Sequence, residues 1–272
     1  MKRKTSPTPG ALPFGNAPME TEGAQSIQRA LRVLKYAVSR TGGITLTEAV
    51  DASGLTKPTV HRILAALVEE GFLQVGDDAR VYLPGPESLA VGLSASRTQN
   101  IRALAEPSLH RLAATTQNTI YLSIPSGWDS ICVDCVVGDY PIRILTLNIG
   151  ERRPLGISAG GLALLAFRPQ AEIDALVRDN PNLPYPGITI EQMLGDIREA
   201  QRTGYAFNPG RMIPEMSGIG VPVFDQEGRI IAALSMATLA SRLQGDDLLQ
   251  ARRLLEEEAR AITALELAGR QA

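Results

Sequence analysis

Four side chains within six residues, Lys57, Thr59, His61 and Arg62, combine an ammonium, a hydroxyl, an imidazole and a guanidinium. They follow Gly54-Leu55-Thr56 and open an apolar run that reaches Leu67 and Val68. Such donors at the start of a helix suit phosphates and base edges, because unpaired first-turn N–H groups and the helix dipole add positive potential there. A second cluster, Gly156-Ile157-Ser158-Ala159-Gly160, matches the G-x-S-x-G elbow that sets a nucleophilic serine on a strand-to-helix turn. A third, Cys132-Val133-Asp134-Cys135, has the C-x-x-C spacing of thiol pairs in metal and redox sites.

The chemistry of the last two is limited by what accompanies them. A serine hydrolase of the elbow type needs a histidine after its serine, whereas His61 and His110 both precede Ser158. The hydrolase therefore stands only as an alternative function. On a regular strand residues three apart point to opposite faces, so Cys132 and Cys135 are expected as two buried thiols that share neither a metal nor a disulfide. No metal site, cofactor or catalytic residue is expected.

The elements around the first cluster form a consistent set. From Ser26 the residues Ile27, Ala30, Leu31, Val33, Leu34 and Val38 recur at helical spacing until Gly42-Gly43. Thr45 and Glu48 form the two ends of a capping box for a short helix closed by Gly54. The third helix has Thr56 as its expected N-cap and Pro58 in the first turn, where the missing N–H costs nothing. At about 100° per residue Val60, Ile63, Leu64, Leu67 and Val68 share one face, while Pro58, Thr59, Arg62, Ala65, Ala66 and Glu69 lie opposite. His61 falls on the flank. After Gly71, Phe72–Val75 and Arg80–Leu83 alternate around a Gly-Asp-Asp turn, which predicts a β-hairpin. Three helices and a hairpin make a winged helix-turn-helix over residues 25–84, with Arg80 either a wing contact or merely solvent-exposed.

Pro84-Gly85-Pro86 interrupts the chain, and residues 85–99 read as a linker helix. Beyond it, residues 100–272 show a long helix over 101–117, strands over 119–125, 130–137 and 142–147, and helices over 158–167, 172–178 and 190–202. Strands near 205–208, 219–224 and 230–236 and a terminal helix over 246–267 complete the chain. Grouped strands and helices predict an α+β domain rather than alternating βαβ units.

The totals agree with two domains: 272 residues, 44% hydrophobic and 21% charged. Net charge is −2, with ten Lys/Arg against nine Asp/Glu up to residue 96 and seventeen against twenty after it, so nucleic-acid binding must rest on placed residues. Residues 1–24, rich in Pro, Gly and Thr, read as a disordered leader. No signal-peptide core or run of 18 apolar residues occurs, which predicts a cytoplasmic protein with reduced thiols and no membrane contact.

Three segments, Ser26-Ile27-Gln28-Arg29-Ala30-Leu31-Arg32-Val33-Leu34, Leu46-Thr47-Glu48-Ala49 and Gly54 to Leu64, resemble the IclR family of bacterial transcriptional regulators. The similarity extends through Arg152-Arg153-Pro154-Leu155, Thr203-Gly204-Tyr205-Ala206 and Pro222-Val223-Phe224-Asp225, covering about residue 25 to the end. The resemblance implies a winged helix-turn-helix, a linker helix and a GAF-like effector-binding domain, assembled as a homodimer or a dimer of dimers. It implies a ligand-responsive regulator that binds double-stranded DNA, with Thr47, Lys57, Thr59, His61, Arg62 and Arg80 at the operator. It further implies a small organic acid held by Ala159, Gly160, Asn208, Gly218, Ser235 and Ala237. Backbone N–H groups of the small-residue loop suit an anion, although Gly161 equally well serves packing. Where some members carry an acidic side chain, a cysteine and a second serine, this chain has Asn208, Gly218 and Ala237, which points towards an aromatic or longer acid. A DNA-binding protein whose C-terminal domain only dimerises is the remaining alternative.

Overall fold

The computed structural model describes residues 24–269 except 41, 99–100, 143–144, 181–182, 186 and 212, in two units divided after Thr98. Apart from Ala24, the expected leader lies outside the described residues.

The first unit contains α1 (Gln25–Val38), β1 (Ile44–Thr45), α2 (Leu46–Ser53), α3 (Lys57–Glu69), β2 (Leu73–Val75), β3 (Val81–Pro84) and α4 (Pro86–Thr98). Apolar spacing puts Val33, Tyr36 and Ala37 of α1, Ala49 of α2 and Val60, Leu64 and Leu67 of α3 into one core with Ile44 and Leu73. The capping box forms as expected: the Glu48 N–H donates to the Thr45 hydroxyl and the Thr45 N–H donates to the Glu48 carboxylate at 2.8 Å. Gly54 ends α2 with a left-handed φ of 64°, a conformation that favours glycine. β1 was not anticipated. Only two residues long, it pairs with β3 through Ile44 and Tyr82, giving an antiparallel sheet of order β1-β3-β2.

One local expectation is met in position but not in bonding. Thr56 occupies the N-cap position of α3 but its side chain makes no capping bond; its hydroxyl lies 2.9 Å from that of Thr59 instead. The two hydroxyls satisfy each other within the exposed first turn.

The second unit contains α5 (Ile101–Thr116), β4 (Thr119–Ser126), β5 (Asp129–Val136), β6 (Arg152–Pro154), α6 (Ala159–Ala166), α7 (Gln170–Asp179), α8 (Ile190–Thr203), β7 (Ala206–Asn208), β8 (Met216–Phe224), β9 (Ile230–Leu239) and α9 (Gly245–Gly269). Its strands form a six-stranded antiparallel sheet in the order β6-β5-β4-β9-β8-β7. Alternation divides each strand between two layers. Leu122, Leu234 and Val221 pack under α5 and α9, where Leu109, Leu112, Leu255 and Ile262 are buried. Ala233 and Ala206 meet α6, α7 and α8 on the other face, beside Leu162, Ile173, Met193 and Ile197. Burying both faces of the sheet removes a large apolar area from water, the principal favourable term in folding.

The strand expected over 142–147 is corrected: its residues 145–147 are irregular, and the third strand of this side is the short β6. The chain there folds back through a turn in which the Glu151 carboxylate accepts from the Asn148 N–H at 3.0 Å.

A β-bulge also overturns the expected geometry of the two cysteines. Tyr121 pairs with Cys135, Leu122 with Asp134 and Ser123 with Cys132, leaving Val133 as the extra residue. The bulge shifts the alternation by one, so both thiols face the same side as Tyr121 and Ser123. Burial pushes the Cys132 thiol up to about 12 and the Cys135 thiol to about 11. Among the described residues no group of three or more His, Cys, Asp or Glu is arranged to hold a metal.

Candidate functional site

The first unit presents a positively charged helix end. Core residues Val60, Leu64 and Leu67 fix the roll of α3, so Lys57, His61 and Arg62 are exposed and Thr59 is half-buried. Ala65 and Ala66 continue the exposed face with side chains small enough for a groove wall to approach. Thr47 is exposed on α2, and Arg80 is exposed in the turn of the β2–β3 hairpin, whose N–H donates to Asp78 at 3.0 Å. Among the described residues none of Lys57, His61, Arg62 or Arg80 has an ion-pair partner. Lys57 and Arg62, two such cations on α3, have charge of the sign that a phosphate backbone attracts.

The second unit holds a cavity of about 80 Å³ between the N-terminus of α6 and the sheet, several times the space one water needs. All six sequence-predicted effector residues, Ala159, Gly160, Asn208, Gly218, Ser235 and Ala237, line it. Ser158 caps α6 by accepting from the Gly161 N–H at 3.0 Å, which leaves the Ala159 and Gly160 N–H groups without a helical acceptor. Beneath them lie the hydroxyls of Ser235 and Ser123, neither of which has a hydrogen-bond partner among the described residues.

The close approach of helix to sheet has a definite steric cause. A Cβ on Gly220 would lie 2.5 Å from the Ala159 carbonyl oxygen, and one on Gly218 would lie 3.2 Å from the Ala159 Cβ. Glycine on β8 therefore lets the first turn of α6 rest directly on the strand.

Asn208 braces the site from within. Its amide donates to the Ile157 carbonyl at 2.8 Å, and its oxygen accepts from the N–H groups of Gly210 and Arg211 at 3.1 and 3.0 Å. With those bonds made, Asn208 holds the loop before α6 against β7.

Sequence reasoning missed Tyr121, Ser123, Thr146 and Arg153, which also line the cavity. The Tyr121 hydroxyl accepts from the Thr146 N–H at 3.0 Å, and the Arg153 guanidinium donates to the Thr146 carbonyl. Burial raises the Tyr121 hydroxyl above its ordinary pKa and pulls Arg153 below its own, because both charged forms are kept from water. The walls are thus more polar than the small residues at 208, 218 and 237 imply. The Arg-Arg-Pro-Leu match was visible in the sequence; that its second arginine enters the cavity was not.

Ser158 is a cap and has no histidine beside it among the described residues. His110 is exposed on α5, which covers the opposite face of the sheet from α6, and His61 belongs to the other unit. No helix among the described residues is long and apolar enough to cross a membrane.

Comparison with known proteins bears on both units. The IclR helix-turn-helix domain model matches residues 26–76, and the model of the bacterial transcriptional regulator IclR C-terminal region matches residues 93–264. The chain is 29% identical over 208 residues to the HTH-type transcriptional regulator KipR of Bacillus subtilis, covering 75% of this chain and 82% of that one. It is 24% identical over 259 residues to the acetate operon repressor of Salmonella typhimurium, covering 93% and 94%. Among solved structures, an IclR transcriptional regulator from Alicyclobacillus acidocaldarius superposes with a TM-score of 0.72 at 29% identity, over 89% of this chain and 98% of that one. An IclR homolog from Microbacterium hydrocarbonoxydans, solved with 4-hydroxybenzoate, gives 0.69 at 24% identity over 90% and 100%. With a helix-turn-helix unit, a curled-sheet α+β unit and matches spanning both, the chain belongs to the IclR family of transcriptional regulators.

Proposed function

We propose that this regulator reads its operator with α3 and answers to a small organic acid bound beside α6. Lys57, Thr59, His61 and Arg62 meet the major groove, Thr47 and Arg80 reach the flanking backbone, and residues 25–84 act as the reading head. Residues 85–99 link it to an effector domain over 100–272. The observation that carries the ligand reading is the cavity in which the Ala159 and Gly160 N–H groups and the Ser123 and Ser235 hydroxyls converge without internal acceptors. Such donors favour a carboxylate through their own dipoles and that of the helix. An IclR homolog of the same fold, solved with 4-hydroxybenzoate, supports an acid of this general class.

A second copy of the chain is the proposed partner. Leu89, Val91 and Leu93 on α4 are 65%, 56% and 60% exposed, and Ile27 and Leu31 on α1 are 62% and 49% exposed. Apolar faces of this size are covered in a dimer, and a two-fold axis gives two recognition helices for two half-sites. The acid acts by binding one arrangement of that dimer more tightly than another, since equal affinity shifts nothing. The expected compartment is the cytoplasm, where the DNA is.

The test is a gel shift on the DNA beside the regulator's own gene, with and without a panel of aliphatic and aromatic acids, alongside calorimetry of the same acids. Acids that bind by calorimetry and change operator affinity support the reading. A broad panel with no binding removes it and leaves a C-terminal domain that only dimerises.

A further inference from the structure

We propose that the second unit carries another ligand site, on the reverse of the sheet from the first cavity, and that it takes an α-amino acid with an apolar side chain. The ligand's carboxylate sits on Arg242 and its ammonium on Asp247.

The site is a cavity of about 270 Å³ between the end of α5, the single turn Ala240–Arg242 and the start of α9. A cavity of about 150 Å³ already admits benzene, so this one has room for an amino acid. Its floor is Met236 of β9, packed in the core layer under α5 and α9. The Asn118 side-chain amide donates to the Met236 sulfur at 3.6 Å and holds that floor in place. Asp247, Gln250, Ala251 and Leu254 recur at helical spacing, so a single face of α9 forms one wall. That wall is charged at its beginning and apolar at its end: Asp247 lies in the first turn, and Leu254 lies about two turns, roughly 10 Å, further along the axis.

The Arg242 guanidinium is oriented but not neutralised. Its Nη1 donates to the Asn118 side-chain oxygen at 2.8 Å, and its carbon stands 3.7 Å from the centroid of the Tyr140 ring. Both contacts are with uncharged groups, and among the described residues no carboxylate pairs with it. Nor does the edge formed by Nε and Nη2 have a hydrogen-bond partner among them. A carboxylate makes two parallel bonds on such an edge. Asp247 is likewise without a cation among the described residues, although Arg242 lines the same cavity. Two opposite charges that share a cavity without reaching each other are neutralised together by a ligand that carries both. An α-amino acid bears both on one carbon, which leaves its side chain for Met236, Ala251 and Leu254.

The experiment is calorimetry on the full-length protein with L-leucine, L-methionine and L-phenylalanine. At least one should bind wild type, and Arg242→Gln and Asp247→Asn should each weaken it about tenfold or more, some 1.4 kcal/mol. Its amide, which lacks the carboxylate, and its deaminated acid, which lacks the ammonium, are then read by competition against the bound amino acid. Each should compete at least about tenfold more weakly. No binding by any of the three amino acids, or binding that survives both substitutions, overturns the inference. So does an amide or deaminated acid that competes as well as the amino acid, because one charge then suffices. The first cavity is lined by neither Arg242 nor Asp247, so its reading as an acid site stands in every case. Unliganded melting curves establish that the variants fold. Asp247 is exposed and its carboxylate bonds to no described residue, so Asp247→Asn and the competition decide if Arg242→Gln does not fold.

Discussion

A Cβ placed on Gly160 would lie 2.9 Å from the Ser235 hydroxyl oxygen, so the first turn of α6 and the middle of β9 share the floor of the cavity. The atom in the way is the end of a rotatable side chain. Gly160→Ala is therefore expected to turn the Ser235 hydroxyl aside and fill the floor, lowering acid affinity about tenfold, some 1.4 kcal/mol, while the melting temperature barely moves. Calorimetry with a bound acid and a melting curve read the two quantities separately; intact affinity would remove Gly160 from the site.

Gly220→Ala should behave differently, because there the obstacles are the Ala159 carbonyl oxygen at 2.5 Å and carbonyl carbon at 2.7 Å, which are backbone. The whole first turn of α6 must lift. An overpacking cost of about 1–3 kcal/mol is expected in chemical denaturation, together with weakened acid binding. An unchanged denaturation midpoint would show that the helix has slack at this point.

In the N-terminal unit, Arg62→Ala should weaken operator binding by about 1–3 kcal/mol if its guanidinium meets a base edge. Lys57→Ala should weaken binding evenly across sequences and reduce the slope of log K against log salt by about 1. Gel shifts over a salt series separate the two roles. Identical salt slopes for wild type and Lys57→Ala would take Lys57 off the phosphates.

Thr45→Ala removes the single hydroxyl that both accepts from the Glu48 N–H and donates to the Glu48 carboxylate. The N-terminal unit should lose about 1 kcal/mol, the usual value of an N-cap, in a denaturant titration. Glu48 adds a pH signature. Its hydrogen bonds to Thr45 hold its carboxyl below the ordinary range, so its stabilising share is present above the unfolded pKa and lost as pH falls through the folded one. In Thr45→Ala this acid-side loss should shrink; a cap variant with unaltered acid sensitivity would argue against the coupling.

The cysteines give a prediction of inertness. With Cys135 near 11 and Cys132 near 12, about one Cys135 thiol in a thousand is ionised at pH 8. Iodoacetamide should label neither at a useful rate until denaturant is added, as mass spectrometry would register. Rapid labelling of Cys135 in the native state would contradict the raised pKa of its half-buried thiol.

The wing, the three helices and the outward face of α3 were legible in the sequence because they depend on local rules. Helical spacing sorts Val60, Leu64 and Leu67 from Arg62 and Ala65, and Thr45 with Glu48 marks a helix start within four residues. The small-residue loop before α6 was equally visible, since Ser158 to Gly161 is contiguous and matches a family pattern. Tertiary structure alone decided the rest. A strand of two residues, β1, exists only because β3 offers it partners, and its own pattern is too short to announce it. The bulge at Val133 carries no mark in the alternation, yet it reverses which face Cys135 occupies. Arg153, Thr146 and Tyr121 come from β6, an irregular segment and β4, and meet only when the sheet brings those strands over one cavity. Periodicity reports the faces of a single element; which side chains share a cavity depends on register and strand order, and those are settled by packing across the whole sheet.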